Sequence, residues 1–416
     1  MEPVIREKIR VLELLGTNLD IVKRHVEFVL LKSCLGTQKM IYLLRTSPLW
    51  KRPDLLKEID DVIRRSLEKV VNAPLSEDAF VQAALPIRYG GVGIRSVLSL
   101  ALPCYLSSVA SVEDQVLLTI GNVSSWQELR SQAEARWLER SGRSEVVANR
   151  RKQRDWDEPL CSVTLERIKL TEDKATRARI LGVSTPESGQ WLNARPSIQL
   201  NTFLSDEEFT AAMALRLGLP LFEPHDCSFC GDAVTSEGTH GLRCRFSVGR
   251  MERHYEGNNI IKKAFARINI PSKLEPRGIT RNPDRNDRPD GVTHIPFERG
   301  RKIAWDFVCA DTLAPSYINA TSQNARAAAE NRALHKQTIY STLDADIYEF
   351  VPFAVETTGA IGKAAIDLIN RIGKKEALIT GNPLSKSWLS QRLSIAIQRS
   401  NAHCMMATLS PIHQGS

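Results

Sequence analysis

The segment Arg288-Pro-Asp-Gly-Val-Thr-His-Ile-Pro-Phe-Glu-Arg-Gly-Arg-Lys-Ile-Ala-Trp-Asp-Phe-Val-Cys309 carries two aspartates, Asp290 and Asp306, with fifteen residues between them. Asp306 interrupts an apolar run, Ile303–Cys309, that reads as a buried strand. Asp290 opens an earlier strand, Gly291–Ile295, so the intervening residues form a hairpin that brings the two carboxylates together. A charge inside an apolar strand is costly to bury. Either Asp306 works at a functional site or it is held in a buried Asp–Arg pair.

The elements on either side fit a compact α/β domain. A helix is expected over Arg253–Ile268, followed by strands over Lys273–Pro276, Gly291–Ile295 and Ile303–Cys309. A helix over Ser322–Leu343 and a strand over Tyr348–Glu356 complete the order α-β-β-β-α-β. Arg332, Lys336 and Tyr340 recur every four residues and share one face of the second helix. Lys336 is a candidate to orient an attacking water and stabilise transition-state charge. It reads equally well as a surface lysine.

From Gly241 to Lys302 there are fifteen basic residues against seven acidic ones, which accounts for the whole net charge of +8 on the 416-residue chain. Arg243, Arg245, Arg250, Arg253 and Arg288 are the nucleic-acid-binding candidates among them; such a window predicts a polyanionic partner, although charge alone equally describes a solvated basic face with none. In such a field two acids can hold Mg²⁺ while the bases receive phosphate. Glu256 and Glu275 are further acids that read either as completing such a site or as exposed helix and strand acids.

Immediately upstream, Cys227, Cys230, His240 and Cys244 form C-x2-C-x9-H-x3-C, with Gly231, Gly238 and Gly241 supplying tight reversals. Three thiolates and one imidazole satisfy a tetrahedral zinc and leave no open position, so the site reads as structural or nucleic-acid-binding. His225 and His254 are rival ligands outside the compact spacing. Cys34, Cys104, Cys161, Cys309 and Cys404 read as core fillers.

Further upstream, residues 1–120 read as helical, with long helices over Asn18–Leu44 and Pro53–Val71. Gly90, Gly91 and Gly93 form a turn between helices, because no Lys-Ser/Thr follows them. Residues 121–220 are charged and read as a helical connector, including Arg150-Arg-Lys-Gln-Arg154. Ser205-Asp-Glu-Glu208 is a capping box that opens a helix ending near Gly218. The expected organisation is α+β and multidomain: a helical region (1–120), a connector (121–220), a zinc knuckle (221–250) and an α/β domain (251–400). No run approaches the roughly 18 apolar residues of a membrane span, and the charged N-terminus is not a signal peptide.

Asp290 in Pro-Asp, followed by Asp306 in this element order, resembles the PD-(D/E)xK nuclease superfamily. The knuckle, Arg-Pro-Asp-Gly291, Trp-Asp-Phe307 and Lys336/Tyr340, taken in order, resemble the C-terminal part of non-LTR retrotransposon proteins with a restriction-like endonuclease. Leu85-Pro-Ile-Arg-Tyr-Gly-Gly-Val-Gly-Ile94, Trp191-Leu-Asn193 and Val351-Pro-Phe-Ala-Val-Glu-Thr357 extend the resemblance over most of the chain. It implies a thumb and linker followed by a knuckle and a restriction-endonuclease-like domain that nicks target DNA to prime reverse transcription. By the same resemblance, Asp290 and Asp306 bind a catalytic magnesium, Lys336 takes the lysine role, DNA and element RNA are the partners, and the location is nuclear.

Two departures stand out. Val308 occupies the place of the lysine two residues after the second acid. No polymerase palm is present, since Asp60-Asp61 lies in a helical context and reads as a polar face, so no reverse transcription is expected of this chain alone. Two rivals remain open: an inactive remnant that binds nucleic acid through knuckle and basic surface, and a structural zinc domain in protein assembly.

Overall fold

The computed structural model describes residues 2–120, 124–146, 151–171, 173–279 and 288–409. It divides into two compact units, up to Leu170 and from Thr171. The division falls inside the segment read as a connector, and its charged helices belong to the units on either side.

The first unit is helical: α1 (Glu2–Thr17), α2 (Arg24–Leu30), α3 (Ile41–Thr46), α4 (Pro53–Val71), α5 (Glu77–Ala83), α6 (Val97–Ile120), α7 (Ser124–Ser141) and α8 (Gln153–Lys169). Pro53 starts α4 where its missing N–H costs nothing, and Asn72 ends it in the left-handed conformation at φ 55°. The long helix expected over Asn18–Leu44 is instead broken into short turns around α2 and α3. Gly36 leaves the helical region at ψ −134°, and a Cβ there would meet the Leu31 carbonyl oxygen at 2.8 Å.

Helix α6 is the centre of this unit, with Val97, Leu102, Cys104 and Leu106 almost fully buried. Asp60 corrects the reading of a polar face. It is buried, and its carboxylate accepts from Ser96 Oγ (2.6 Å) and the Val97 (2.7 Å) and Leu98 (3.3 Å) amides, which caps α6. The glycine-rich turn forms as expected, with Gly91 N–H donating to Pro86 O and Gly93 N–H to Leu85 O. Trp137 of α7 donates Nε1–H to the Trp156 carbonyl of α8 at 2.8 Å, clasping two charged helices with buried rings. Among the described residues no helix is long and apolar enough to cross a membrane. Cys104, Cys161 and Cys404 are buried and Cys309 is half-buried, but Cys34 is exposed and is no core filler.

The second unit mixes helix with small sheets. It begins with α9 (Lys174–Val183) and α10 (Asp206–Leu217), the latter opened by the Ser205/Glu208 capping box and closed by Gly218 at φ 71°. A two-stranded hairpin, β1 (His225–Asp226) with β2 (Ala233–Val234), leads to α11 (His240–Arg243) and α12 (Gly249–Arg267). Then come β3 (Ser272–Leu274), β4 (Gly291–Thr293), β5 (Lys302–Ala310), α13 (Ile318–Thr321), α14 (Ala327–Ile339), β6 (Tyr348–Glu356), α15 (Lys363–Thr380) and α16 (Ser385–Met406).

The four-stranded sheet runs β3-β4-β5-β6, antiparallel except for the parallel β5–β6 pair. Pro352 is tolerated in β6 because that strand is an edge. Side chains of β5 alternate. Ile303, Trp305 and Phe307 join the core with α12, α15 and α16, while Ala304 and Val308 pack toward α14. Helix α14 starts later than expected because Arg326 sits at φ 68° just before it. The Glu356 carboxylate then accepts from the Ala328 (3.0 Å) and Ala329 (3.1 Å) amides.

Candidate functional site

The cysteine cluster forms between the β1–β2 hairpin and α11. Gly231 (φ 77°) and Gly238 (φ 67°) make reversals that a side chain would strain. The donor atoms of Cys227, Cys230, His240 and Cys244 all lie within 4.8 Å of one another. Cys244 Sγ is 3.8 Å from Cys230 Sγ, and Cys230 Sγ is 3.2 Å from His240 Nε2. Ligands at about 2.3 Å from a tetrahedral ion stand about 3.8 Å apart. The group can therefore hold a metal ion and is compatible with structural zinc.

Neither rival histidine joins this group. His225 bonds Glu223 O at 3.0 Å and Thr408 Oγ1 at 3.1 Å, and His254 points to Asp290. The knuckle is seated on α10 and α16 through Leu215, Leu242, Cys404 and Met405. Its Gly241 lies so close to α16 that a Cβ would meet the Cys404 carbonyl oxygen at 2.2 Å.

The aspartates follow from strand register. Gly291 pairs with Trp305, so one further step sets Asp290 beside Asp306. The β4 ladder stops at Gly291 and leaves the Phe307 N–H without a strand partner. Asp290 Oδ2 accepts it at 2.7 Å. The same oxygen accepts from Asn258 Nδ2 (3.1 Å) and lies 2.8 Å from His254 Nε2, both from α12. Trp305 Nε1–H donates to Asn258 Oδ1 at 2.9 Å, which fixes the amide so that its nitrogen faces Asp290. Gly291 is needed here, since a Cβ would meet the Trp305 ring at 2.1 Å.

Asp306 is 3% exposed on the face of β5 away from Trp305 and Phe307, toward α14. Lys336 Nζ lies 2.9 Å from each of its oxygens, and Tyr340 Oη lies 2.9 Å from Oδ2. The lysine meets Oδ1 outside hydrogen-bonding geometry, which leaves that buried oxygen without a bonded donor. Tyr340 Oη is also 2.7 Å from the Arg288 carbonyl, so one phenolic proton serves two acceptors. Burial, then the nearby charge of Asp290, holds the Asp306 carboxyl above the usual carboxylate range, against Lys336 and Tyr340. His254 is raised by its hydrogen bond to Asp290.

A groove of about 930 Å³ runs past this site, lined by Asp290, Lys336, His254, Arg332, Arg245 and Arg250. Exposed apolar side chains on its rim include Phe246 (47%), Met251 (79%) and Tyr255 (63%). Arg245 stacks over Phe246 with 4.6 Å to the ring centroid. Arg243 is exposed beside the knuckle, and Arg288 pairs with Glu275 at 2.6 Å.

Arg253 departs from the surface expected of it. It is 3% exposed and donates Nη1–H to Asn401 Oδ1 at 2.5 Å, so it braces α12 against α16. Glu275 is tied to Arg288, and Glu256 acts on Arg392 on the other side of α12. Neither completes a carboxylate cluster, and among the described residues the cysteine–histidine set is the one group of three or more donors placed to share a metal. Arg150, Arg281 and Arg285, with the acids Asp284 and Asp287, lie outside the described residues. The sequence marks His254 only as a rival zinc ligand and does not mark Asn258, although the two stand one helical turn apart on α12. No family model matches the chain, and no curated protein matches it.

Proposed function

We propose that the chain is a retroelement-derived, metal-dependent endonuclease that nicks DNA, with the knuckle holding a structural zinc beside the cutting groove. One observation carries this reading: Asp290 and Lys336 line a single groove of arginine and aromatic side chains, with Asp306 buried behind Lys336 and paired to it. A phosphate backbone meets Arg245, Arg250 and Arg332 there, and exposed rings offer stacking surfaces.

The carboxylates retain acceptor capacity. Among the described residues Asp306 Oδ1 has no bonded donor, and the hydrogen bonds that Asp290 accepts fall on Oδ2. Asp290 and Asp306 would be the residues to hold a divalent ion such as magnesium, which when bound supplies Lewis-acid stabilisation of phosphodiester charge. Lys336 would orient the attacking water and offset charge on the phosphate. Trp305, through Asn258, keeps Asp290 facing the groove. DNA as target, element RNA as a second partner and a nuclear location belong to the same reading.

A second reading is binding without cleavage. The Lys336–Asp306 ion pair favours it, because it already neutralises the carboxylate a cation would need, and among the described residues no third acid joins the two in a metal-sized group. Plasmid nicking separates the two readings. With Mg²⁺, the wild type should convert supercoiled plasmid to open circle, and an Asp290→Asn/Asp306→Asn double variant should slow this by at least about a hundredfold, the scale of losing groups that act directly on the reacting centre. Equal nicking by the two proteins would sink the nuclease. Salt-dependent binding with no nicking by either would establish the second reading.

A further inference from the structure

The far side of α12 carries a separate groove of about 680 Å³ that none of this chemistry uses. Lys263 and Arg267 lie nine and thirteen residues after His254, which places them about 180° and 220° around the helix from it at 3.6 residues per turn. They meet Trp388 and Arg392 of α16, themselves one turn apart, with the Gln199–Thr202 loop as the opposite bank.

The charge pattern there is incomplete. Arg267 Nε is 2.9 Å from Glu376 Oε1, so its charge is matched. Arg392 makes no hydrogen bond or ion pair among the described residues. Burial, and then the neighbouring Arg267 cation, lower its affinity for a proton despite Glu256 and Glu376 nearby. A half-buried guanidinium beside another cation is what an absent anion would stabilise. Trp388, at 37% exposure, is the one tryptophan that lines this groove.

We infer that this groove binds single-stranded nucleic acid, with a base stacked on Trp388 and phosphates on Arg392 and Lys263. A single strand fits better than a duplex because stacking on a ring within a groove needs an unpaired base, whereas stacked pairs present only their edges. The inference does not depend on the nuclease, since none of these residues touches Asp290 or Asp306.

The test uses the full chain with a fluorescein-labelled dT15 strand in magnesium-free buffer, read by anisotropy. Trp388→Ala should weaken binding roughly fivefold or more. Trp388→Phe, which keeps a ring, should stay within about twofold of wild type. Arg392→Gln should lower the slope of log affinity against log salt by about 0.7, the single-strand value for one phosphate contact. Binding of a 15-base-pair duplex should be unchanged by Trp388→Ala.

Unchanged dT15 affinity in Trp388→Ala together with an unchanged slope in Arg392→Gln would overturn the inference. So would an equal loss for strand and duplex. If Trp388→Ala fails to fold, by thermal melting and zinc content, the Arg392→Gln slope decides alone. Plasmid nicking reads Asp290 and Asp306, whereas the dT15 assay reads Trp388 and Arg392 without magnesium, so failure of the nuclease and failure of this groove give different results.

Discussion

His403 sits between two carboxylates, with Nδ1 2.7 Å from Glu252 Oε2 and Nε2 3.0 Å from Glu208 Oε1. Its hydrogen bond to Glu208, and then that to Glu252, outweigh partial burial and raise the imidazole to about 9. A histidine raised above its unfolded value of about 6.5 contributes stability that is complete below 6.5 and is lost as pH climbs through 9. The side chain is 41% exposed, so solvent screening trims the effect. Urea unfolding of wild type against His403→Gln should show a stability gap widest near pH 6 and nearly closed by pH 10; a gap independent of pH would refute the assignment. The same residue scale shows what a charge count conceals. Arg253 adds one to the basic window yet spends its guanidinium inside the protein on Asn401. His254 and Asn258 carry no motif, and only the fold brings them to an aspartate more than thirty residues away.

Helix α6 shows how one element depends on a single side chain from another. Its first turn presents free amides, and Asp60 of α4 takes two of them together with the Ser96 hydroxyl. Burial raises the Asp60 carboxyl to about 6, yet three donors hold it in place. Asp60→Ala should therefore cost about 2 kcal/mol in chemical denaturation, the upper range for a lost cap, since donors are left buried. Asp61→Ala, next door and without a hydrogen bond among the described residues, should fall within about 0.5 kcal/mol of wild type. Equal costs would show that Asp60 is not the cap. Element type was legible where the pattern was long. The apolar runs of β5 and β6 and the capping box of α10 announce themselves, as does Pro53 at the start of α4. The helix expected over Asn18–Leu44 is interrupted because Gly36 exits the helix through a crowded turn that periodicity does not register. Helix α14 starts at Ala327 and not at Ser322 because the left-handed turn at Arg326 and the cap from Glu356 belong to the tertiary fold.

At the scale of the whole molecule, the decisive boundary is Leu170/Thr171, where composition gives little warning because charge is high on both sides. Trp137 and Trp156 were the available signal: two large buried rings in an otherwise polar stretch mean that α7 and α8 pack with the first unit instead of trailing as a connector. The second unit has its own apolar centre, built from Phe265, Trp305, Phe307, Phe353, Leu368 and Leu393. It also holds the knuckle against α10 and α16. A unit with its own core folds independently, so residues 171–416 produced alone should unfold in one cooperative transition and carry about one zinc per chain. A zinc ion that binds only the folded form stabilises it by roughly 4 kcal/mol at free zinc about 1,000 times the dissociation constant, so chelation should lower stability by that amount. Cys227→Ser/Cys230→Ser should abolish both the metal and this increment. A broad, non-cooperative melt of the fragment would show that its core is insufficient without residues 1–170, while full zinc content in the double serine variant would remove these four residues as the metal's ligands.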